Sequence, residues 1–290
     1  DSKIGGLLRY GIPDFKLEKS IIDRRIEILN LEGIKFKTNT EIGIDVPIKK
    51  LKKDNDIVLL CGGATLMRNL PIPGHKLNGI VQAMRFLKRQ NQVIGENFSK
   101  VEELNAINKN VIVIGGGDTG SDCIGTSNRQ GAKSVLNFEI LPKPSKQRTV
   151  ENPWPYWPFT LKTSSSHEEG SKRQWSILTK EFIDDGNGNV KALKTVEVEW
   201  IKKSDERPKL VEIEGSEKTW PCDLVLLALG FTGPDKEIIN DLKLNSDNTS
   251  KPFTTKYQTS DKKVFAAGDL RRGQSLIVWA ISEGLSLIHI

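Results

Sequence analysis

The stretch that most constrains the fold is VIVIGGGDTGSDCIG, at residues 111–125. Four branched aliphatic residues run into a glycine cluster, a composition typical of a buried strand that enters a tight turn and then a helix. Gly115, Gly117 and Gly120 have the spacing G-x-G-x-x-G. In this spacing the first glycine permits the turn, the second lets a pyrophosphate approach the backbone, and the third allows close packing of helix on strand. A purely structural glycine turn has the same spacing, so the flanking sequence must distinguish the two.

The flanking sequence favours dinucleotide binding. It predicts a helix over residues 119–130 and a strand over KSVLNFE, residues 133–139, which completes the order strand, turn, helix and strand. Phosphates would then lie at the helix N-terminus, where free amides and the helix dipole favour negative charge. The candidate dinucleotide-binding residues are therefore Gly115, Gly117, Asp118, Thr119 and Gly120.

Glu139 is the candidate ligand for the ribose of this nucleotide. It ends the second strand about twenty residues beyond the last glycine, where an acid accepts hydrogen bonds from the ribose diol and disfavours a 2′-phosphate. This position predicts NADH rather than NADPH, and Glu139→Ala should relax that preference. Lys143, Lys146 and Arg148 follow closely and can reach a 2′-phosphate, so NADPH stays open.

A second strand-and-glycine pattern lies near the C-terminus. The stretch TSDKKVFAAGDLRRGQSLIVWAISEG, residues 259–284, predicts a strand, a turn at Gly268 and Asp269, and a helix. Gln274 or Ser275 is placed to cap that helix. Two further strands, DNDIVLLCGGAT at residues 54–65 and CDLVLLALGF at residues 222–231, also run into glycines.

The rest of the chain predicts a mixed α/β protein. The remaining predicted elements are a loop at residues 1–15, a helix at 17–32, a strand at 34–42, a helix near 79–90 and an antiparallel meander from about 174 to 214. His75 and His167 fall in predicted loops, and we expect both at the surface. Trp154 and Trp157 either flank a nicotinamide or pack a proline-rich surface loop.

Composition excludes several classes of protein. The apolar runs fall well short of the ~20 residues needed to span a bilayer. The net charge of +6 is spread among interleaved acids and bases, without the basic helix of a nucleic-acid-binding protein. Cys61, Cys123 and Cys222 form no C-x-x-C pair or closely spaced cluster, so they support neither a disulfide framework nor a metal or iron–sulfur site. We expect a cytoplasmic protein that binds neither nucleic acid nor membranes.

The C-terminal pattern resembles the flavin disulfide-reductase-like proteins. The resemblance implies that Asp269, after Gly268, holds the ribityl chain of FAD and that Gly273, Gln274, Ser275 and Leu276 face the isoalloxazine. It also implies a Rossmann-like NAD(P)-binding domain at residues 71–232, inserted into an FAD-binding domain that comprises residues 1–70 and 233–290. Gly62, in the turn CGGAT, would mark the crossover between the domains.

Longer segments narrow the resemblance to one family. GGLLRYGIPDFKLEKSIIDRRIEIL, GGGDTGSDCIGTSNRQGAKSV, LPKPSKQRTVENPWPYWP and AAGDLRRGQSLIVWAISEG together resemble the small (β) subunit of glutamate synthase and the matching domain of single-chain enzymes. Gly6, Leu7 and Leu8 then take the place of flavin-contacting residues. The implied function is transfer of hydride from NADH or NADPH to FAD, and of electrons through iron–sulfur clusters to a large (α) subunit that makes glutamate from glutamine and 2-oxoglutarate.

Two features of the family pattern are not found in this sequence, the N-terminal cysteine-rich segment and the first FAD-binding glycine turn. We therefore expect a fragment in which any iron–sulfur clusters lie outside these residues, and which purifies without FAD. Two alternatives remain open: a reductase of the same superfamily with ferredoxin or quinone as acceptor, and a flavin-free fragment that only binds dinucleotide.

Overall fold

A computed structural model describes residues 1–95, 104–156, 159–201 and 208–289. The described helices are, in chain order, α1 (Gly6–Tyr10), α2 (Lys19–Leu31), α3 (Ile48–Asp54), α4 (Ala83–Gly95), α5 (Asp118–Arg129), α6 (Ser165–Glu168), α7 (Lys236–Asp241), α8 (Asp269–Arg272) and α9 (Ile277–Leu287). The longest of these have 13 residues, and no helix in the described ranges has the length and apolar character needed to cross a membrane.

The strands are short, apart from two in the antiparallel meander. They are β1 (Val58–Leu60), β2 (Leu66–Met67), β3 (Ile80–Gln82), β4 (Asn110–Ile114), β5 (Ser134–Phe138), β6 (Lys172–Gln174), β7 (Ile177–Asp184), β8 (Val190–Ile201), β9 (Lys209–Glu212), β10 (Lys218–Pro221), β11 (Leu224–Leu227), β12 (Phe231–Gly233) and β13 (Val264–Ala266).

The chain forms two compact units. Unit 1 comprises Asp1–Ile4, Glu32–Arg68 and Leu229–Ile290, and unit 2 comprises Gly5–Leu31 and Asn69–Ala228. Gly5–Leu31 lies in unit 2, whereas these residues were expected to belong with the rest of residues 1–70, and the breaks expected after residues 70 and 232 fall after Arg68 and Ala228. Gly5–Leu31 belongs to unit 2 because α1 packs on α4 and α2, and because the buried Asn91 of α4 donates to the carbonyl of Tyr10.

Unit 2 is built on a five-stranded parallel sheet with the order β3-β11-β4-β5-β6. Helices α4 and α5 pack on it through a core that includes Phe86, Val113, Ile124 and Leu226. From β4 the chain continues to β5 and β6 on one side, whereas β11 and β3 lie on the other. The carboxyl end of β4 is therefore the point at which strand order reverses, where ligands bind in open parallel sheets.

The predicted meander is confirmed as a second, antiparallel sheet. Strand β8 pairs with β7 and β9, as the turns in the sequence indicate, and also with β10, which the sequence analysis did not anticipate. The predicted helices at residues 17–32 and 119–130 and the strand at 133–139 are confirmed by α2, α5 and β5.

Unit 1 has two small sheets. Strands β1 and β13 pair in parallel, and their side chains Leu60, Val264 and Ala266 form a core with α3 and α7. Strand β2 follows CGGAT, the expected crossover turn, and pairs in antiparallel fashion with β12, which the chain forms on its return to unit 1 after Ala228.

Two local predictions were wrong, and the start of a third predicted element was displaced. Residues 1–15 are not all loop, because Gly6–Tyr10 form α1. Residues 34–42 form no strand, and their alternating apolar residues Ile34 and Phe36 remain 45% and 37% exposed because no neighbouring strand covers them. The segment near 79–90 begins as β3, which pairs with β11, and becomes helical only at Ala83.

Candidate functional site

The glycine turn after β4 is held by close backbone contacts. Gly115 has φ +119°, and a side chain there would overlap the carbonyl oxygen of Ala228, just beyond β11. A side chain at Gly120 would overlap the carbonyl oxygen of Gly115. The first and third glycines of the motif are therefore required by the fold itself.

Gly117 is different, because no atom lies within 4 Å of the position that its Cβ would occupy. It is the N-cap of α5, which has no side-chain cap, and Gly116, Gly117 and Asp118 are exposed. Thr119 follows, half-buried, in the first turn of the helix. The structure thus brings the five predicted turn residues together around an open helix N-terminus, a geometry that suits a phosphate.

Asn137 supports this turn and was missed by the sequence analysis. Its buried side-chain amide donates to the carbonyls of Val113, at 3.1 Å, and Gly115, at 2.8 Å. The only signal in the sequence is a polar residue between the apolar Leu136 and Phe138 of β5. The bonds fix the carbonyl of Gly115, on which Gly120 packs.

Glu139 lies where the sequence placed it, directly after β5 and beside the turn. A side chain at Gly116 would overlap its Oε2 atom. Its Oε1 atom accepts a hydrogen bond from Nη2 of Arg173 at 2.8 Å, and the two side chains are 15% and 12% exposed. Arg173 lies on β6 and was not anticipated, since it is 34 residues away in the sequence.

A polar network lies on α5 behind the turn. Lys16 pairs with Asp122 at 2.5 Å, and the hydroxyls of Ser121 and Ser164 are also 2.5 Å apart. Ser164 begins α6 in a capping box with His167. The prediction that His167 is a surface residue was wrong, because it is partly buried. Burial, with the charges of Arg173 and Lys16, lowers its pKa to about 4.

The C-terminal turn, in unit 1, is held by side chains rather than by glycine contacts alone. Gly268 and Gly273 have φ +68° and +86°. Between them, the Asp269 carboxylate accepts a hydrogen bond from the Ser275 hydroxyl at 2.7 Å. Gln274 accepts at 2.7 Å from the backbone amide of Phe231, in the returning crossover strand β12.

The predicted capping role of Gln274 or Ser275 was wrong. The N-cap of α9 is Leu276, whose side chain has no hydrogen-bond acceptor. Gln274 and Ser275 do not cap the helix, because their side chains are hydrogen-bonded to Phe231 and Asp269. The first amides of α9 therefore have no side-chain cap, and its positive end is available to an anionic group.

Glu283 is the main residue that sequence analysis missed in unit 1. Its carboxylate, on α9, is 2% exposed and accepts from the backbone amide of Gly268 at 2.8 Å. It also pairs with Arg271, and with Nε of Arg272 at 3.0 Å. Burial raises the pKa of Glu283, but the hydrogen bonds from Arg271 and Gly268 outweigh it, and the pKa is lowered. Glu283 thus ties helix α9 to the turn that contains Asp269.

The remaining residues that the sequence placed near a cofactor or a domain crossover lie in several parts of the fold. Gly62 faces Leu270 of α8, and an added Cβ would lie 3.3 Å from it. Gly6, Leu7 and Leu8 form the start of α1 in unit 2, where Leu7 is 51% exposed. Trp154 is 80% exposed, and Trp157 lies outside the described residues.

Comparison with known proteins gives consistent results. The family model described as pyridine nucleotide-disulphide oxidoreductase matches residues 172–284. Glutamate synthase [NADH] of Schizosaccharomyces pombe is 46% identical over 97% of this chain, which spans 14% of that protein. The glutamate synthase [NADPH] small chain of Mycobacterium tuberculosis is 44% identical over 98% of the chain, which spans 58% of it. The chain thus spans under two thirds of these relatives.

Solved structures share the fold at low sequence identity. Mycobacterium tuberculosis FprA in complex with NADPH has a TM-score of 0.71 at 14% identity, over 98% of this chain and 74% of that one. Thioredoxin reductase of T. acidophilum has a TM-score of 0.59 at 18% identity, over 99% and 88%. These structural matches confirm the mixed α/β fold that the sequence predicts. With relatives at 44–46% identity along nearly its whole length, the chain belongs to the glutamate synthase family, in the region that corresponds to the bacterial small chain.

Proposed function

We propose that this chain is the NAD(P)H-oxidising flavoprotein part of a glutamate synthase. The observation that carries the proposal is the identity of 44–46% to glutamate synthases over at least 97% of the chain. The two strand–glycine–helix turns support it, one in each unit. Unit 2 would be the NAD(P)-binding domain and unit 1 part of the FAD-binding domain.

In unit 2, the chain's own residues would bind and orient the dinucleotide. The space over Gly117 accommodates a pyrophosphate next to the uncapped N-terminus of α5. Glu139 presents an oxygen beside Gly116 to the ribose. These groups position the nicotinamide without acid–base chemistry, as hydride transfer between cofactors requires.

In unit 1, the turn of Gly268 and Asp269 fits a flavin. Asp269 is fixed by Ser275 and would accept from the ribityl hydroxyls, and the uncapped N-terminus of α9 would stabilise negative charge on the pyrimidine side of the ring. Bound FAD supplies the chemistry, acceptance of hydride from the nicotinamide and release of single electrons.

We place the iron–sulfur clusters and the synthesis of glutamate outside this chain. Cys123 and Cys222 are buried in unit 2, and burial raises the pKa of both thiols, which disfavours the thiolates that a cluster requires. The partner would be a large subunit, or the remainder of one polypeptide as in the fungal relative, and free thiols suit a reducing cytoplasm.

The test is anaerobic mixing of the purified full-length gene product with NADH or NADPH. We expect the flavin absorbance to bleach, and glutamate to form when the large subunit, glutamine and 2-oxoglutarate are added. Absence of flavin reduction would contradict the proposal. Reduction with electron delivery only to ferredoxin or a quinone would favour the alternative acceptor.

A further inference from the structure

A group of charged residues lies around the indole ring of Trp175, next to the glycine turn of unit 2. The guanidinium carbon of Arg173 is 5.0 Å from the ring centroid, and the ammonium nitrogen of Lys143 is 4.9 Å from it. Both cations therefore sit within the distance at which a cation is attracted to an aromatic ring. The acid beside them is Glu139, which pairs with Arg173.

The orientation of Arg173 is fixed by hydrogen bonds. Its Nη1 donates to the carbonyl of Lys162 at 2.8 Å and its Nη2 to Glu139 Oε1 at 2.8 Å. Its Nε is buried and has no hydrogen-bond partner in the part of the chain that the structure describes. A planar guanidinium fixed in this way is pre-organised to bind an oxyanion.

Of the basic residues that follow Glu139 in the sequence, Arg148 serves another purpose. Its Nη1 donates to the carbonyl of Tyr156 at 2.8 Å and so braces the proline-rich loop. Arg173 and Lys143 are the cations that the structure places at Trp175.

We propose that Arg173, Glu139 and Lys143 form a subsite that recognises the 2′ position of the adenosine ribose, with Arg173 as the ligand of a 2′-phosphate. This inference rests on the proposed binding of a dinucleotide at the glycine turn. A lone Glu139 carboxylate would repel a 2′-phosphate. The ion pair between Arg173 and Oε1 of Glu139 offsets the negative charge of the carboxylate. Oε2, beside Gly116, is left to accept a hydrogen bond from a ribose hydroxyl. The subsite therefore admits both NADH and NADPH, and Arg173 sets the balance between them.

The test measures dissociation constants of adenosine 2′,5′-bisphosphate and adenosine 5′-diphosphate by calorimetry, on the full-length gene product, so that no flavin turnover is needed. In Arg173→Gln, binding of the 2′,5′-bisphosphate should weaken at least about tenfold, because a charge-assisted contact with the 2′-phosphate is lost. Binding of the 5′-diphosphate should change less than about twofold. Glu139→Gln should shift the ratio of the two constants the opposite way.

Arg129→Gln is the matched control. It removes an arginine that pairs with Glu169 at the same distance of 2.8 Å, but at the far end of α5 from the glycine turn. Neither ligand should be affected. If Arg173→Gln does not fold, Lys143→Gln serves instead, because Lys143 is exposed and its replacement leaves the core intact. In Lys143→Gln, the 2′,5′-bisphosphate should bind about threefold more weakly, and binding of the 5′-diphosphate should not change.

Four results would overturn the proposal. An equal loss for both ligands would assign Arg173 a structural role, and unchanged binding of both ligands would exclude it from the site. If the unmodified protein binds the 5′-diphosphate but not the 2′,5′-bisphosphate, the subsite does not take a phosphate, although the proposed function stands. If it binds neither, the proposed nucleotide site itself is wrong.

Discussion

The two strand–glycine–helix turns of this protein are held in place by different physical means. In unit 2, the turn at Gly115 is shaped by backbone contacts that only glycine permits, with Ala228 and Gly120. In unit 1, the turn at Gly268 is held by hydrogen bonds, above all those to the buried carboxylate of Glu283. The turn of unit 2 is visible in the sequence as a glycine motif, whereas the turn of unit 1 depends on Glu283, which lies fifteen residues beyond Gly268.

The largest effect should come from Glu283→Gln. Loss of this buried carboxylate leaves Arg271 and Arg272 without their shared counterion, and breaking such a pair destabilises by about 3–5 kcal/mol. Urea denaturation of the full-length gene product measures the free energy of unfolding. The control is Glu212→Gln, which removes an exposed pair with Lys180 and should cost less than about 1 kcal/mol. Equal effects of the two variants would mean that Glu283 does not hold the turn of unit 1.

Gly115→Ala should have the next largest effect. It combines a left-handed φ with overlap on Ala228, and strain with overpacking costs about 2–4 kcal/mol. Gly117→Ala, where the Cβ enters open space, should cost about 1 kcal/mol or less. A difference below measurement error between these variants would show that the turn of unit 2 does not depend on its backbone contacts.

Ser275→Ala probes a single hydrogen bond in unit 1. Loss of the 2.7 Å contact with Asp269 should lower the free energy of unfolding by about 1 kcal/mol. Bound flavin should dissociate faster as well, because Asp269 is then less constrained. Ser286→Ala, which removes only a bond to a backbone carbonyl within α9, is the control and should leave flavin dissociation unchanged.

The remaining prediction compares the response of the two units to acid. The pKa of His167 is lowered from 6.5 to about 4. Between these two values the unfolded chain binds a proton at His167 and the folded chain does not. Unit 2 therefore keeps its full stability above pH 6.5 and loses stability as the pH falls from 6.5 towards 4. The pKa of Glu283 is lowered from 4.5, so its contribution to unit 1 is lost only below that value. Peptide-resolved hydrogen exchange should therefore show unit 2 loosening at the higher pH.

A His167→Gln variant should remove the response of unit 2 between pH 6.5 and 4. If the decline persists in that variant, another group causes it.

The sequence allowed prediction of those parts of the fold in which the pattern is local. The helices α2 and α5, the strand β5 and the meander each carry their periodicity and turn residues within one segment. Residues 34–42 alternate like a strand but form none, because a strand needs a partner and alternation does not supply one.

The site could be predicted in the same partial way. Glycines and the acid after β5 stand at fixed intervals, so spacing alone predicted that Gly115, Gly117, Gly120 and Glu139 lie around one turn. Arg173, Asn137 and Glu283 were not, because their partners are brought near by strand order and helix packing. Gln274 and Ser275 were expected to cap α9 but bond instead to residues that only the folded turn places beside them.

We propose the two turns as separate sites, for a dinucleotide on unit 2 and a flavin on unit 1. The most direct test measures flavin stoichiometry and NAD(P)H affinity together, in full-length Gly117→Ala and Asp269→Ala. We expect Gly117→Ala to weaken NAD(P)H binding at least about tenfold, since its methyl group takes the space of the pyrophosphate, with the flavin content unchanged. Asp269→Ala should lower the flavin content and leave nucleotide affinity intact. Loss of both properties in either variant, or the reverse assignment, would contradict the account.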